Sequence, residues 1–285
     1  MKFVYHPLFL RHDTGMHPEN PGRFELILRT LKNKGGLVEP KTGERYIKLA
    51  HSPEYVDKVR DICDMGGGYL DVDTPVSAES YKAACYAVGA AIEASELGGF
   101  ALVRPPGHHA TYDQGMGFCI FNNMAISALR LANKGKKVFI LDVDIHHGNG
   151  TQDLVFGKDN IMFLSIHQSP LYPGTGLFSE GNCFNFPLKP NTTDRGYMEV
   201  LDNEVLPRLA KFDPDVVGVS VGFDAYHKDV GWVAGNHFLL TKQTYLKING
   251  ILSQYKTFYV LEGGYNPSSI VEGIEALTAA VIPKI

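Results

Sequence analysis

The sequence lacks a basic excess. Across 285 residues, 27 lysines and arginines stand against 31 aspartates and glutamates, a formal net charge of -4. A protein that coats nucleic acid needs clustered positive charge, so that class is disfavoured. It also lacks an apolar run of the roughly 18 or more residues that a membrane-spanning helix needs. The N-terminal stretch has no apolar core of a secretory signal, because His6, Pro7, Arg11, His12 and Asp13 interrupt it. Cysteine is scarce. Cys63, Cys85, Cys119 and Cys183 are far apart and form no CxxC pair, which argues against a disulfide scaffold and against a cysteine zinc knot. Pro/Ser-rich linkers, internal repeats and low-complexity tails are absent too. These absences predict one domain over residues 1–285, cytoplasmic, with reduced thiols and with neither a membrane nor a direct nucleic-acid partner.

What is there is an ordinary globular balance, 44% hydrophobic and 20% charged, with 11 histidines. Four of those histidines form two adjacent pairs, His108-His109 and His146-His147. Short apolar, β-branched runs predict buried strands at residues 100–103, 138–143, 161–166, 216–221 and 258–261. Helical periodicity predicts helices at residues 122–134 and 241–255, and an Ala-rich helix at 77–94 that starts on a Ser-x-x-Ser stretch able to cap it. Continuous apolar strands joined by helices imply an α/β fold with a parallel sheet covered on both faces.

Each predicted strand runs into a polar or glycine-rich cluster at its C-terminal end. These clusters are Arg104-Pro105-Pro106-Gly107-His108-His109, Asp142-Val143-Asp144-Ile145-His146-His147, Ser165-Ile166-His167, Gly222-Phe223-Asp224 and Leu261-Glu262-Gly263-Gly264-Tyr265. Parallel sheets bind ligands outside the carboxyl ends of their strands, so the clusters point to an enzyme site. If residues 142–146 are extended, Asp142, Asp144 and His146 share one face, a ligand set suited to zinc or another divalent ion. Asp224 can complete it. The plainer reading is a polar strand end with capping aspartates, although adjacent buried carboxylates are costly without a cation. Adjacent histidines on a loop point in different directions, so His108 and His109 suit proton transfer better than joint ligation, each oriented by its own acceptor. Tyr265, beside a diglycine, can donate to an anionic transition state, or it simply packs over a turn.

The seven ordered motifs, from His17-Pro18-Glu19-Asn20-Pro21-Gly22-Arg23 through Gly117-Phe118-Cys119-Ile120-Phe121-Asn122-Asn123 and Tyr172-Pro173-Gly174-Thr175-Gly176 to Leu261-Glu262-Gly263-Gly264-Tyr265, resemble the zinc-dependent deacetylase family. That family includes histone deacetylases, acetylpolyamine amidohydrolases and acetoin-utilisation proteins. Asn149 and Leu261-Glu262-Gly263-Gly264 resemble its class II branch. The resemblance implies an arginase/deacetylase-like three-layer fold with a central parallel sheet of about eight strands. It implies zinc on Asp144, His146 and Asp224, although the ligand chemistry alone also allows iron(II) or cobalt. It implies a structural potassium ion on Asp142, Asp144, Ser165 and backbone carbonyls, with Asp142 orienting His108. By the same resemblance His109 is the general base, His108 an electrostatic partner and Tyr265 the oxyanion donor. Gly117, Phe118 and Tyr172 would wall an acyl-lysine tunnel, Asp73 would bind substrate at its rim, and Arg23 would lie beside an internal acetate channel.

The sequence departs from the family after Asp224. Val230-Gly231 stands where many members carry a proline pair that guards the tunnel mouth, and Trp232, the only tryptophan, follows. No gatekeeper carboxylate marks a polyamine enzyme there. The expected substrate is an acetylated lysine or another small acylated amine. A non-catalytic acyl-lysine binder and a two-metal ureohydrolase are the competing classes. The second needs more carboxylates than this pattern supplies. Neither a monomer nor a homo-oligomer is singled out.

Overall fold

The computed structural model describes residues 1–31, 36–229 and 237–280. The strands are β1 (Phe3–Val4), β2 (Leu37–Val38), β3 (Gly67–Tyr69), β4 (Pro75–Ser77), β5 (Phe100–Ala101), β6 (Val138–Asp142), β7 (Ile161–Gln168), β8 (Cys183–Leu188), β9 (Val216–Val221) and β10 (Thr257–Leu261). Eight of them form one sheet in the order β2-β1-β5-β10-β9-β6-β7-β8, and every neighbouring pair is parallel. β3 and β4 form a separate antiparallel hairpin. The five strands expected from the sequence are β5, β10, β9, β6 and β7, which are contiguous in the middle of the sheet. Every residue of β6 and β9 is buried, because helices cover both faces and leave no polar side to alternate with.

The helices form two sets by their principal contacts. Ser80–Leu97 packs on Asn123–Ala132, and Pro267–Leu277 packs on Arg23–Leu31 and Lys242–Leu252. Asn122 and Thr241 cap the two helices expected to begin near them, accepting from the Ala125 and Gln243 amides. The Ala-rich helix begins at Ser80 rather than at Ser77, which lies in β4. The Ser80 hydroxyl is taken by the Ser77 amide and by His12 Nδ1, both at 2.7 Å, so it does not serve as an N-cap. The strand expected at 100–103 pairs only over Phe100–Ala101 before the chain turns toward the site. All four cysteines are free and buried. Among the described residues no helix is long and apolar enough to cross a membrane.

A buried ion cluster ties the N-terminal segment to the loop after β5. Arg104, fully buried, donates to both Glu19 carboxylate oxygens, at 2.5 and 2.7 Å, and to the Phe9 and His12 carbonyls. Arg23 donates to Glu19 Oε1 at 3.0 Å. Burial alone pushes the Glu19 carboxyl up, but the Arg104 and Arg23 charges outweigh it and hold it down at about 2. Removing one partner of such a pair leaves an uncompensated buried charge, so Glu19→Gln is expected to cost about 3–5 kcal/mol in denaturant unfolding. Acid should weaken the same region. Burial lowers His12 and His51 to about 4. Their contribution is therefore present above the unfolded value near 6.5 and is lost as pH falls through 4, and Glu19 adds its own loss between about 4.5 and 2. Unfolding free energy that stays flat from pH 7 to pH 4 would contradict this assignment.

Candidate active site

β6 ends at Asp142, and the next residues do not continue as a strand. Asp142 Oδ1 accepts the Asp144 amide at 3.1 Å, and Asp144 Oδ1 accepts the His146 amide at 2.9 Å. Short carboxylates that bond their own backbone two residues on make turns. Asp142, Asp144 and His146 therefore do not share one strand face, as an extended chain would require. Asp142 instead turns to His108, and Asp144 and His146 turn to Asp224. The capping reading of these aspartates is correct for the backbone, and their remaining side-chain contacts build the site.

The rings of His108 and His109 lie side by side, 4.0 Å between centroids, rather than pointing apart. What differs is the acceptor. His108 Nδ1 donates to Asp142 Oδ2 at 3.0 Å, and His109 Nδ1 donates to Asn149 Oδ1 at 2.7 Å. Burial pushes His108 down, but the Asp144 and Asp142 carboxylates outweigh it and hold the imidazole up at about 10. His109 goes the other way. Burial, then the charges of His108 and His146, hold it well below the ordinary histidine value. In the metal-free protein these opposite shifts favour a charged His108 beside a neutral His109. With Nδ1–H on Asn149, the lone pair of His109 is on Nε2.

Two groups the sequence left without a role, Asn149 and Glu262, and a third it placed elsewhere, Arg23, complete this arrangement. Asn149 fixes the His109 tautomer. Glu262 Oε2 accepts the Gly107 and His108 amides at 2.7 and 3.2 Å, while its Oε1 accepts from Ser220. Burial raises this carboxyl to about 7. Arg23, expected beside a channel, donates to the Gly264 and Glu262 carbonyls, both at 2.7 Å, and its guanidinium lies 5.0 Å from the Tyr265 ring centroid. It thus grips the diglycine turn that carries the phenol. Only the partners' positions in space could have revealed these roles.

A cavity of about 250 Å³ is lined by His108, His109, Asp144, His146, Phe118, Tyr172, Tyr265 and Asp73, with Gly117 and Gly263. Phe118 packs edge-on to His17 and Tyr265, and Tyr172 edge-on to His109 and His146. Gly117 has φ +54, and a Cβ there would stand 2.5 Å from His109, so only glycine lets this loop pass the imidazole. Phe118 itself sits at φ +71, a costly conformation for an aromatic residue, and its amide is held by Thr74 Oγ1. Asp73 is half-buried at the lining. A larger cavity, about 490 Å³, lies elsewhere, around Leu49, Tyr112, Asp153 and Lys158. The groups with displaced pKa values and ligand chemistry lie in the smaller one, which is the candidate site. Val230, Gly231 and Trp232 lie outside the described residues.

Asp144, His146 and Asp224 each bring one ligand atom within 4.8 Å of the others. His146 Nδ1 is 2.9 Å from Asp144 Oδ1 and 3.3 Å from Asp224 Oδ2. The ring N–H is bonded to the nearer Asp144 oxygen, and the buried Asp224 Oδ2 is left with only the longer ion-pair contact and no hydrogen bond. Burial and the Asp144 charge push the Asp224 carboxyl up. Two anions crowded about one imidazole, with a buried oxygen lacking a hydrogen bond, fit a divalent cation. The residues expected at a potassium ion make other contacts in this structure. Asp142 is bonded to His108 and the Asp144 amide, and Ser165 Oγ lies 3.0 Å from His167 Nδ1.

The family model of the histone deacetylase domain matches residues 17–281. A probable deacetylase of Methanothermobacter thermautotrophicus is 36% identical over 293 residues, covering 95% of this chain and 87% of that protein. Among solved structures, the HDA15 HD domain superposes with a TM-score of 0.90 at 32% identity, over 97% of this chain and 89% of that one. The acetylpolyamine aminohydrolase of Burkholderia pseudomallei superposes with a TM-score of 0.84 at 25% identity, over 97% of both chains. Likeness that runs the length of the chain, in sequence and in the arginase-like parallel-sheet fold alike, makes this protein a member of the histone deacetylase family.

Proposed function

We propose that the protein is a zinc-dependent amidohydrolase that removes acetyl or another short acyl group from the side-chain amine of acyl-lysine or of a related small acylated amine. The observation that carries this reading is the Asp144, His146 and Asp224 cluster, in which the buried Asp224 Oδ2 lacks a hydrogen bond, beside a narrow cavity walled by aromatic rings. A zinc ion held by those three residues supplies Lewis acidity toward an amide carbonyl and lowers the pKa of water at the site to about 7. A slim alkyl chain threads between Phe118 and Tyr172, each buried methylene contributing about 0.8 kcal/mol. Neutral His109 takes a proton at Nε2 as water adds to the amide carbon. The C–N bond then breaks as the same proton goes to the departing amine, and the carboxylic acid so formed loses its remaining proton to the amine or to solvent, giving a carboxylate and an ammonium product. Tyr265 donates its hydroxyl to the oxygen on which charge develops. His108, held by its hydrogen bond to Asp142, is placed to stabilise the same negative charge.

An acetylpolyamine is the second reading. The Asp73 carboxylate at the cavity suits a protonated amine further along the substrate, and the fold likeness extends to an acetylpolyamine aminohydrolase. Rates of the zinc-loaded protein on acetyl-lysine peptide, acetylspermidine, acetylputrescine and longer acyl-lysines separate the two. Chelator-sensitive release of acetate, with one zinc per chain, is expected for at least one of them. No hydrolysis across the whole panel would remove the amidohydrolase reading.

A further inference from the structure

Asp229 takes no part in the chemistry above, yet its carboxylate is buried against the turn that carries Tyr265. It is 8% exposed. Its Oδ2 accepts two successive amides, Tyr265 N–H at 2.7 Å and Asn266 N–H at 2.8 Å. Consecutive N–H groups that converge in this way form a concave anion site. Gly264, at φ +104, turns the chain immediately before them, a conformation that glycine adopts without steric cost. Asn266 continues the construction: its Oδ1 accepts the Ser268 and Ser269 amides and caps the helix Pro267–Leu277, while its side-chain amide donates to the Lys228 carbonyl at 2.9 Å.

The backbone on either side of the phenol is thus held by opposite charges. Arg23 grips the Glu262 and Gly264 carbonyls before Tyr265, and Asp229 grips the amides of Tyr265 and the residue after it. Asp229 is also on the segment that follows Asp224, so it joins the loop of a metal-cluster residue to the loop of the oxyanion donor.

We propose that Asp229 is a positioning residue for Tyr265: its carboxylate fixes the two amides that follow Gly264 and so sets where the phenol hydroxyl stands relative to Asp144, His146 and Asp224. Use of that hydroxyl in turnover rests on the deacetylase reading, but the anchoring of the loop does not. Without the carboxylate, two inward-facing amides lose their acceptor and the turn relaxes. A displacement of about 1 Å in a catalytic group can cost about 100-fold.

The test compares wild type, Asp229→Ala, Asp229→Asn, Tyr265→Phe and the double variant Asp229→Ala/Tyr265→Phe. For each, kcat, KM, zinc content and hydrogen exchange at the amides of Tyr265 and Asn266 are measured. Asp229→Ala is expected to lower kcat by about 100-fold with KM within about twofold and zinc content unchanged. Asp229→Asn, which retains an acceptor oxygen, should recover at least about tenfold of that loss, and the two amides should exchange faster in the alanine variant only. In the Tyr265→Phe background, removing Asp229 should have no further effect, because two changes that act through one hydroxyl do not add. A merely structural Asp229 would instead multiply its effect onto Tyr265→Phe, and that outcome, or unchanged kcat in Asp229→Ala, overturns the proposal. If wild type hydrolyses nothing in the panel, the deacetylase reading fails on its own. The exchange data then decide the anchoring, and unchanged protection in Asp229→Ala would overturn it.

Discussion

On the proposed function, Asp224→Asn is expected to empty the metal site and to lower kcat/KM by at least about 1,000-fold, because a Lewis acid held there would contribute several kcal/mol and each 1.36 kcal/mol is tenfold. The variant isolates the charge. The asparagine oxygen can still accept the Ile145 amide that Asp224 Oδ1 now accepts at 3.2 Å, so the backbone keeps its partner. In the metal-free protein the same change should not destabilise the fold. Asp224 is pushed up by burial and by the negative charge of Asp144, and removing one of two crowded anions relieves that repulsion. Metal analysis, turnover and thermal unfolding of the metal-free form read the three effects separately. Full zinc occupancy with retained turnover would remove Asp224 from the ligand set. A large drop in metal-free stability would assign it to structure instead.

His109→Ala should act at the other end of the reaction, lowering kcat by about 100- to 10,000-fold with zinc content unchanged, the range a positioned proton-transfer group supplies. Its pH signature has a definite sign. A general base works in its unprotonated form, above its pKa. Burial and the charges of His108 and His146 hold the His109 value well below 6.5, so the unprotonated form persists into acid. The protonation of His109 itself should therefore limit wild-type kcat/KM only below pH 6.5, apart from the ionisation of water at the site at about pH 7. A bound cation nearby keeps the same sign, since positive charge disfavours the imidazolium further. A His109→Ala enzyme with more than a tenth of wild-type turnover would place the base elsewhere.

The expected site residues met in one place because their strands are neighbours. The loops that follow β5, β10, β9 and β6 are adjacent in the sheet, and β7 lies next to them. The strands easiest to read in the sequence and the strands that carry the chemistry are the same set for one reason: a strand at the centre of a sheet is buried on both faces, and its composition is continuously apolar. β1 and β2 are two residues each, and β8 alternates along a half-covered edge. Such segments carry little periodicity, and the sequence pattern did not mark them.

The amino-acid sequence by itself determined the parallel α/β architecture, the ends of the strands at which polar groups gather, and the identity of Asp144, His146, Asp224, His108, His109 and Tyr265 as the groups of interest. Those features are local: an apolar run and the polar residues that stop it are adjacent in the chain. Tertiary structure alone decided how each group is tuned. Asn149 selects the His109 tautomer from 40 residues away, and Arg23 holds the Gly264 carbonyl across 241 residues. Glu262 reaches the His108 amide across 154 residues. The local turns at Asp142 and Asp144 also overrode the strand spacing that would have placed three ligands on one face. Protonation state and orientation depend on burial and on charges within a few ångströms, and chain spacing does not encode which distant residue supplies them.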